Sequence, residues 1–249
     1  MTLSVVIITK NEAAHIEACL DSVAFADEIV VLDSGSTDAT CELARARGAR
    51  VEVSDDWPGF GPQKNRALAL ATGDWILSLD ADERVPDDLA QEICRTVSAS
   101  QANGYRMARL SSFCGRPILH SGWWPDYVLR LFRRGAGQFS DDQVHEHVQV
   151  PGKVDTLAAH LLHDPYRSLE HFIDKLNRYS TDGALKAYAK GRRTTVLGPF
   201  GHASWTFIRH YLLRRGFLDG WQGLVLAGMA ATGSFYRYAK LYWLARSRE

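Results

Sequence analysis

The run Trp75-Ile76-Leu77-Ser78-Leu79-Asp80-Ala81-Asp82 is the stretch that decides the fold. Its mostly apolar first part predicts a strand that is buried on both faces. The carboxylates that follow mark the point where this strand leaves its sheet. Open α/β sheets bind ligands at the carboxyl ends of their strands. The stretch therefore predicts a strand of an α/β sheet with a polar site at its end.

Similar apolar runs alternate with helix-forming segments up to about residue 110. This alternation implies βαβ units and a mostly parallel sheet that is flanked by helices, in a Rossmann-like arrangement. The predicted strands are Ser4–Thr9, Glu28–Asp33, Arg50–Val53, Trp75–Asp80 and Tyr105–Arg109. The predicted helices are Ala13–Val23, Asp38–Arg47, Lys64–Ala71 and Asp87–Val97.

The regular alternation of predicted strands and helices ends near residue 110. Loops with strands near Val128–Phe132 and Val144–Val150 are expected first, and helices follow from Ser168. We therefore divide the chain into residues 1–110, 111–167 and a helical extension, 168–249. The predicted helices of the extension are Leu169–Lys190, Pro199–Arg215 and Phe217–Ala245, the last with a break near Gly228 or Gly233.

Composition excludes several classes of protein. The 249 residues have a formal net charge of zero, which argues against a generally basic nucleic-acid binder. None of the four cysteines forms a C-x-x-C pair, so reduced cysteines and a cytoplasmic location are expected. The sequence shows neither a signal peptide nor an apolar stretch of about 18 residues that would span a membrane.

Three polar clusters follow predicted strands that should lie side by side. They are Thr9-Lys10-Asn11-Glu12, Asp33-Ser34-Gly35-Ser36-Thr37-Asp38 and Asp80-Ala81-Asp82. Carboxylates at a strand end can hold Mg²⁺ or Mn²⁺ and leave positions for a diphosphate. Asp80 and Asp82 are the expected metal ligands, and a cap on the next helix is the alternative for either residue.

Two further residues each have two possible roles. Asp33 suits a hydrogen bond to a base or ribose, or the turn in which it lies. Lys64 suits an ion pair with phosphate, or a solvated surface position. The chain has no G-x-x-x-x-G-K-[ST] and no G-x-G-x-x-G after its first strand, which argues against P-loop NTPases and dinucleotide oxidoreductases.

These motifs together resemble a known family. The first-strand run Ser4–Glu12, the segment Asp33–Asp38 and Asp80-Ala81-Asp82 look like family 2 inverting glycosyltransferases of the GT-A fold. Later motifs resemble a bacterial subgroup that includes lipopolysaccharide core β-1,4-glucosyltransferases. These motifs are Pro125-Asp126, Arg130-Leu131-Phe132, Val144-His145-Glu146, His163, Lys175 with Asn177-Arg178-Tyr179, and Gly216-Phe217-Leu218-Asp219-Gly220.

The resemblance implies a metal-dependent enzyme and roles for particular residues. Thr9, Glu12 and Asp33 would contact the nucleoside of a UDP-sugar, with UDP-glucose as the expected donor. Asp80 and Asp82 would lie at the ribose, metal and diphosphate. The acceptor would be a lipopolysaccharide core or another lipid-linked saccharide. Residues 1–110 would then bind the nucleotide sugar, and residues 111–167 would form the acceptor side.

An inverting transfer needs a carboxylate that deprotonates the acceptor hydroxyl. The family's base lies in an acidic pair after the irregular middle segment, where this sequence has Asp141-Asp142 and His145-Glu146. Glu146 is the expected base and Asp126 the second candidate. A solvent-facing strand position is an equal alternative for Glu146. His163 is expected at the diphosphate or metal, with a buried structural histidine as the alternative.

The C-terminal segment interleaves aromatic residues with Arg209, Arg214, Arg215, Arg237 and Lys240. Such a mixture is typical of helices that lie in a membrane interface, and it predicts a peripheral association with the inner membrane. A helix packed on the catalytic domain and an oligomer interface are the alternatives. Two other functions remain open: a sugar-nucleotide pyrophosphorylase and a non-catalytic nucleotide-sugar-binding protein.

Overall fold

A computed structural model of the chain describes residues 1–99, 101–140, 147–166 and 168–247. The chain forms two compact units. The first contains Met1–Arg109 and Asp126–His163, and the second contains Leu110–Pro125 and Asp164–Glu249. The expected middle part, residues 111–167, is therefore shared between the two units.

The first unit is built on one mixed sheet. Its strands are β1 (Leu3–Thr9), β2 (Glu28–Asp33), β3 (Arg50–Val53), β4 (Trp75–Asp80), β5 (Glu83–Arg84), β6 (Gly104–Phe113), β8 (Asp126–Arg133) and β11 (Val154–His163). The last residues of β6 belong to the second unit, where they pair with β7 (Arg116–Pro117). The strand order is β3-β2-β1-β4-β8-β6-β11-β5. A separate ribbon pairs β9 (Gln138–Phe139) with β10 (Val148–Gln149).

The sheet has a parallel half and a half that contains antiparallel pairs. β1 to β4 pair in parallel, whereas β8 runs antiparallel to both β4 and β6. The parallel half holds β2, β1 and β4 as direct neighbours, so their carboxyl ends meet at one edge. Thr9 pairs with Asp33, and Ile8 pairs with Asp80. The predicted side-by-side arrangement of the three polar clusters is confirmed.

Helices cover the sheet of the first unit. They are α1 (Ile16–Asp21), α2 (Thr40–Ala46), α3 (Phe60–Leu70) and α4 (Asp87–Ala99). Ile16 of α1 and Leu89 and Ile93 of α4 are fully buried in one cluster with Val5, Leu77 and Leu79 of the sheet. On the other face, Ala67 of α3 packs with Val6, Ile76 and Phe132. Two apolar layers on one sheet are the expected α/β architecture, and the predicted fold class is confirmed.

The second unit is mainly helical. It contains α5 (Leu169–Ala189), α6 (Gly198–Ile208) and α7 (Gly220–Arg246), with a π-helical turn at Arg209–Leu213 and a 3₁₀ turn at Gly216–Asp219. The buried carboxylate of Asp219 accepts hydrogen bonds from the main-chain N–H groups of Leu119 and His120, at 3.2 and 3.1 Å. This residue therefore ties the segment before residue 125 to the start of α7.

One predicted feature of the second unit is wrong. The helix break expected near Gly228 or Gly233 is absent, since α7 is continuous through both residues. Gly233 lies against Leu176 of α5, where an added Cβ would stand 3.3 Å from the leucine side chain. The low helix propensity of glycine is therefore overridden here by close packing between helices. No helix in the described residues is long and apolar enough to cross a membrane.

Candidate active site

The loops after β1 and β2 are joined by hydrogen bonds. Asn11 has a left-handed backbone, with φ of 58°, which turns the chain sharply after β1. Its main-chain N–H donates to Ser36 Oγ at 2.7 Å, and its Oδ1 accepts from the N–H of Thr37 at 2.8 Å. These bonds fix the two predicted nucleoside-contacting loops against each other.

Asp33 is fully buried at the end of β2. Its carboxylate accepts the main-chain N–H of Ser36 at 2.7 Å, and Thr9 Oγ1 lies 3.5 Å away. Asp33 therefore closes its own turn, which is the second of the two roles that the sequence allowed. Contacts from Thr9, Glu12 and Asp33 to a nucleoside stay a prediction.

Asp80, at the end of β4, is held by two cations. Lys64 Nζ lies 2.9 Å from its Oδ1, and the Arg130 guanidinium hydrogen-bonds to its Oδ2. Lys64 is buried in α3, and Arg130 is buried in β8. The structure thus shows Lys64 paired with a protein carboxylate, while its predicted pairing with phosphate is untested. Both Asp80 oxygens already face a positive charge.

Glu83 extends the group formed by Lys64, Asp80 and Arg130 into a row of alternating charges. Its fully buried carboxylate accepts from Arg130 at 2.6 Å and from Arg109 at 3.2 Å. Arg109 continues to Asp126, with Nη2 and Nε at 2.7 and 3.0 Å from Asp126 Oδ2. The row therefore links the end of β4 to the second candidate base.

The protonation of this row follows from its charges. Burial by itself raises the pKa of the Asp80 carboxyl, but the charges of Arg130 and Lys64 outweigh it and hold that pKa well below its ordinary range. Burial lowers the pKa of the Arg130 guanidinium, and the carboxylates of Asp80 and Glu83 more than reverse this. Both groups are therefore charged at neutral pH.

Sequence reasoning missed Arg130, Glu83 and Arg109 as parts of this arrangement. Arg130 did carry a signal, because it interrupts an apolar strand between Leu129 and Leu131 and is buried there. A buried arginine is rare unless it is paired. The missing information was its partner, since Asp80 and Glu83 lie on other strands.

Asp82 and His163 lie together beside this row. His163 ends β11, whose antiparallel pairing with β5 places it opposite Glu83. Its Nε2 is 3.6 Å from Asp82 Oδ2, and both side chains are partly buried. The structure brings together these two predicted metal ligands.

This pair fits a divalent cation better than Asp80 does. Ligand atoms at about 2.0–2.2 Å from one ion lie roughly 3–4 Å apart, which matches the Asp82–His163 distance. Mg²⁺ and Mn²⁺ usually keep several positions for water and phosphate oxygens, so two protein ligands suffice. No group of three or more potential His, Cys, Asp or Glu ligands occurs in the described part of the chain.

Only one of the two candidate bases lies within the described residues. Glu146, with Asp141, Asp142 and His145, lies outside the described residues. Asp126 begins β8 and is 44% exposed at its side chain. Both hydrogen bonds from Arg109 fall on Oδ2, which leaves Oδ1 as the oxygen that would take a proton.

Residues 4–150, more than half of the chain, match the family model described as Glycosyl transferase family 2. The chain belongs to this family. The family 2 assignment confirms the resemblance that the strand-end motifs carried, and the α/β sheet is the one expected for its GT-A domain.

Two relatives extend over nearly the whole of this family 2 glycosyltransferase. A lipopolysaccharide core biosynthesis glycosyltransferase of Rhizobium meliloti is 32% identical over 97% of this chain and 92% of the relative. An uncharacterized glycosyltransferase of Rickettsia bellii is 31% identical over 96% of this chain and 85% of the relative.

A solved structure is similar over about half of the family 2 chain. It is glucosyl-3-phosphoglycerate synthase from Mycobacterium tuberculosis in complex with Mn²⁺, UDP and glucosyl-3-phosphoglycerate. Its sequence identity is 26%, with coverage of 53% of this chain and 57% of that chain and a TM-score of 0.40.

Proposed function

We propose that this glycosyltransferase transfers a sugar from a UDP-sugar to a lipopolysaccharide core or another lipid-linked saccharide, with inversion at the anomeric carbon. The observation that carries this proposal is that Asp33 and Asp80 end the two strands that flank β1, while Asp82, just after β4, lies 3.6 Å from His163. The lipopolysaccharide core enzyme of Rhizobium meliloti supports the acceptor class. The expected donor is UDP-glucose.

Asp82 and His163 would hold Mg²⁺ or Mn²⁺. When bound, the ion would offset negative charge on the departing nucleoside diphosphate. Asp80 has a different part in this proposal, because Lys64 and Arg130 already neutralise it. It fixes Lys64 and Arg130 at the end of β4 and stands next to the β1 loop, where the ribose is expected. Thr9, Glu12 and Asp33 would bind the nucleoside.

The transfer itself is a single displacement. The acceptor hydroxyl oxygen forms a bond to the anomeric carbon while the bond from that carbon to the UDP oxygen breaks. The hydroxyl proton passes to the catalytic carboxylate, for which Glu146 is the first candidate and Asp126 the second. UDP leaves with the electron pair of the broken bond, and the configuration at the anomeric carbon inverts.

A lipid-linked acceptor would place the enzyme at a membrane surface. The second unit exposes many large apolar side chains, and the most exposed include Leu197, Leu213, Trp221 and Trp243, at 72, 63, 59 and 71%. Basic side chains such as Arg209, Arg215 and Arg246 are exposed on the same unit. Apolar side chains with cations suit a peripheral contact with anionic lipid at the inner face of the inner membrane.

The experiment that tests the function is a donor and acceptor panel. Purified protein with Mn²⁺ is incubated with UDP-glucose, UDP-galactose, UDP-N-acetylglucosamine and GDP-mannose, and nucleotide release is measured with and without lipopolysaccharide core acceptors. We expect a UDP-sugar to be used, release to increase with an acceptor, and NMR of the product to show the inverted linkage. Release from none of these donors, or a retained anomeric configuration, would contradict the proposal.

A further inference from the structure

The second unit contains a cavity of about 590 Å³ that the proposed chemistry does not use. Small-molecule sites in proteins usually measure about 300–1,000 Å³. Helices α5, α6 and α7 supply most of its wall, to which Trp123, Tyr166 and Arg209 of the π-helical turn also contribute. The cavity is therefore large enough for one or two sugar rings.

The charged residues of this wall are all basic. Lys175, Arg209 and Arg237 line the cavity, as does His202, and no Asp or Glu is among the described lining residues. Cations that share a concave, partly dehydrated space repel one another and attract an anion. The cavity wall is thus suited to a negatively charged ligand.

Arg237 is the most informative of these cations. Its Nε is buried and has no hydrogen-bond partner within the described residues. Gly183 gives its side chain room, because a Cβ there would stand 3.1 Å from Arg237 Nε. An atom that solvent does not reach is also closed to a ligand, so a phosphate or carboxylate oxygen in the cavity would bind the terminal guanidinium nitrogens of Arg237.

Aromatic rings make up much of the remaining wall. His202 and Tyr238 stack with ring centroids 3.6 Å apart, and Trp205 and Tyr179 are each more than half exposed. Rigid rings with a polar edge offer flat apolar faces beside hydrogen-bonding groups. The C–H faces of a sugar ring match such surfaces, whereas its hydroxyls match the polar edges.

We propose that this cavity binds a saccharide that carries a phosphate or carboxylate group, with Arg209 and Arg237 receiving the anion and the aromatic rings receiving the sugar. The proposal rests on the proposed function, for which it specifies an anionic acceptor. It also assigns a role to α5, α6 and α7 beyond contact with a membrane.

Binding is tested in the full chain without donor, by tryptophan fluorescence and calorimetry, because Trp123 and Trp205 line the cavity. The probes are glucose 6-phosphate, glucuronic acid, glucose and inorganic phosphate. We expect saturable binding of the two anionic sugars and markedly weaker binding of glucose and of phosphate alone. Failure of both anionic sugars to bind would overturn the proposal.

Substitutions locate the site. Arg237→Gln and Arg209→Gln each remove a charge-assisted hydrogen bond and should weaken binding of glucose 6-phosphate roughly tenfold to a hundredfold. Arg246→Gln is the matched control, since Arg246 also lies on α7 over a tyrosine ring but outside the cavity. Arg209 is exposed, so its replacement keeps the fold if that of Arg237 does not. Unchanged binding in Arg209→Gln and in a folded Arg237→Gln would overturn the proposal.

Two further measurements separate the possible failures. Binding of UDP with Mn²⁺ to the same protein tests the donor site. If UDP binds but the anionic sugars do not, the cavity proposal is contradicted and the proposed function is not. Vesicles of phosphatidylglycerol test a lipid head group as the source of the anion. If Arg237→Gln binds these vesicles more weakly than the unmodified protein and neither anionic sugar binds, the saccharide proposal is wrong.

Discussion

Nε2 of His163 lies 3.6 Å from Oδ2 of Asp82, although one residue ends β11 and the other follows β4. The distance is too long for a hydrogen bond and suits two ligands of one ion. The short antiparallel pairing of β5 with β11 creates this proximity, because it sets His163 opposite Glu83. Asp82, just after β4, is thereby placed beside a residue far along the chain.

The first prediction concerns this pair. We expect Asp82→Asn and His163→Ala each to weaken Mn²⁺ binding and to reduce sugar transfer at least tenfold, because each removes one ligand. EDTA should inhibit the unmodified protein, and added Mn²⁺ should restore it. Mn²⁺ affinity is measured by electron paramagnetic resonance and transfer by UDP release.

His160→Ala is the control for this prediction. His160 lies on the same strand, and strand alternation directs it to the opposite face from His163. Its replacement should leave Mn²⁺ affinity unchanged. Full transfer activity in EDTA would show that the reaction does not need the metal.

The second prediction concerns the buried row of charges. Arg130→Met removes the cation between Asp80 and Glu83 and leaves two carboxylates without their shared partner. We expect a loss of about 3–5 kcal/mol in the free energy of unfolding, measured by urea denaturation. Arg106→Met on β6 is the control, because Arg106 is exposed and bonds to the Thr156 hydroxyl. An equal loss in both variants would contradict a special role for Arg130.

The boundaries of the parallel strands could be predicted closely from the sequence. The bounds of β2, β3 and β4 are those expected. Apolar runs that end in an aspartate mark the ends of β2 and β4, whereas β3 is short and mostly exposed. Helix α1 begins later than predicted, at Ile16 rather than Ala13. The N–H groups of Glu12 and Ala13 donate to the Thr40 hydroxyl and the Asp38 carboxylate, and these long-range bonds before α1 are not visible in a local pattern.

The candidate site was predictable in its positions but not in its pairings. Sequence motifs placed Asp33, Asp80 and Asp82 at strand ends, because strand ends carry ligands in this class of sheet. They did not reveal that Lys64 and Arg130 neutralise Asp80, since these partners come from a helix and from an antiparallel strand. Such pairings depend on the strand order, which local periodicity does not encode.

The third prediction concerns the catalytic base. Glu146→Gln keeps the size of the side chain but cannot accept the proton, so we expect a loss of roughly 10²–10⁴-fold in kcat. UDP binding should be retained, because the base acts on the acceptor. Asp126→Asn provides the comparison, with both variants measured for transfer and for UDP affinity. An active Glu146→Gln beside an inactive Asp126→Asn would move the role to Asp126, and the Arg109 pair would then position the base.

The fourth prediction concerns the apolar surface of the second unit. We expect the protein to bind vesicles that contain phosphatidylglycerol, and binding should weaken as salt rises because charge attraction is screened. Trp221→Ser and Trp243→Ser should each weaken binding by about tenfold, the effect of losing one buried ring. Vesicle cosedimentation measures both effects.

Trp57→Ser is the control for the vesicle experiment. Trp57 is also exposed but belongs to the first unit, where it contacts Phe60. Its replacement should leave vesicle binding unchanged. Deletion of residues after Gly198 is a less selective test, because Leu226 and Leu241 of α7 are buried in the apolar clusters of the second unit. Point substitutions at exposed positions avoid that loss of core.

The last prediction compares two glycines of the same helix. A Cβ at Gly223 would stand 1.8 Å from the main-chain oxygen of Gly216, whereas a Cβ at Gly228 would meet nothing within 4 Å. Gly223→Ala must displace the 3₁₀ turn that leads into α7, and we expect a loss of about 1–3 kcal/mol or more in the free energy of unfolding. Gly228→Ala only replaces a poor helix former, so we expect a gain of about 0.5–1 kcal/mol. Thermal and urea denaturation of the two variants should therefore shift in opposite directions. A gain in stability for Gly223→Ala would show that the contact between the turn and α7 is looser than the structure has it.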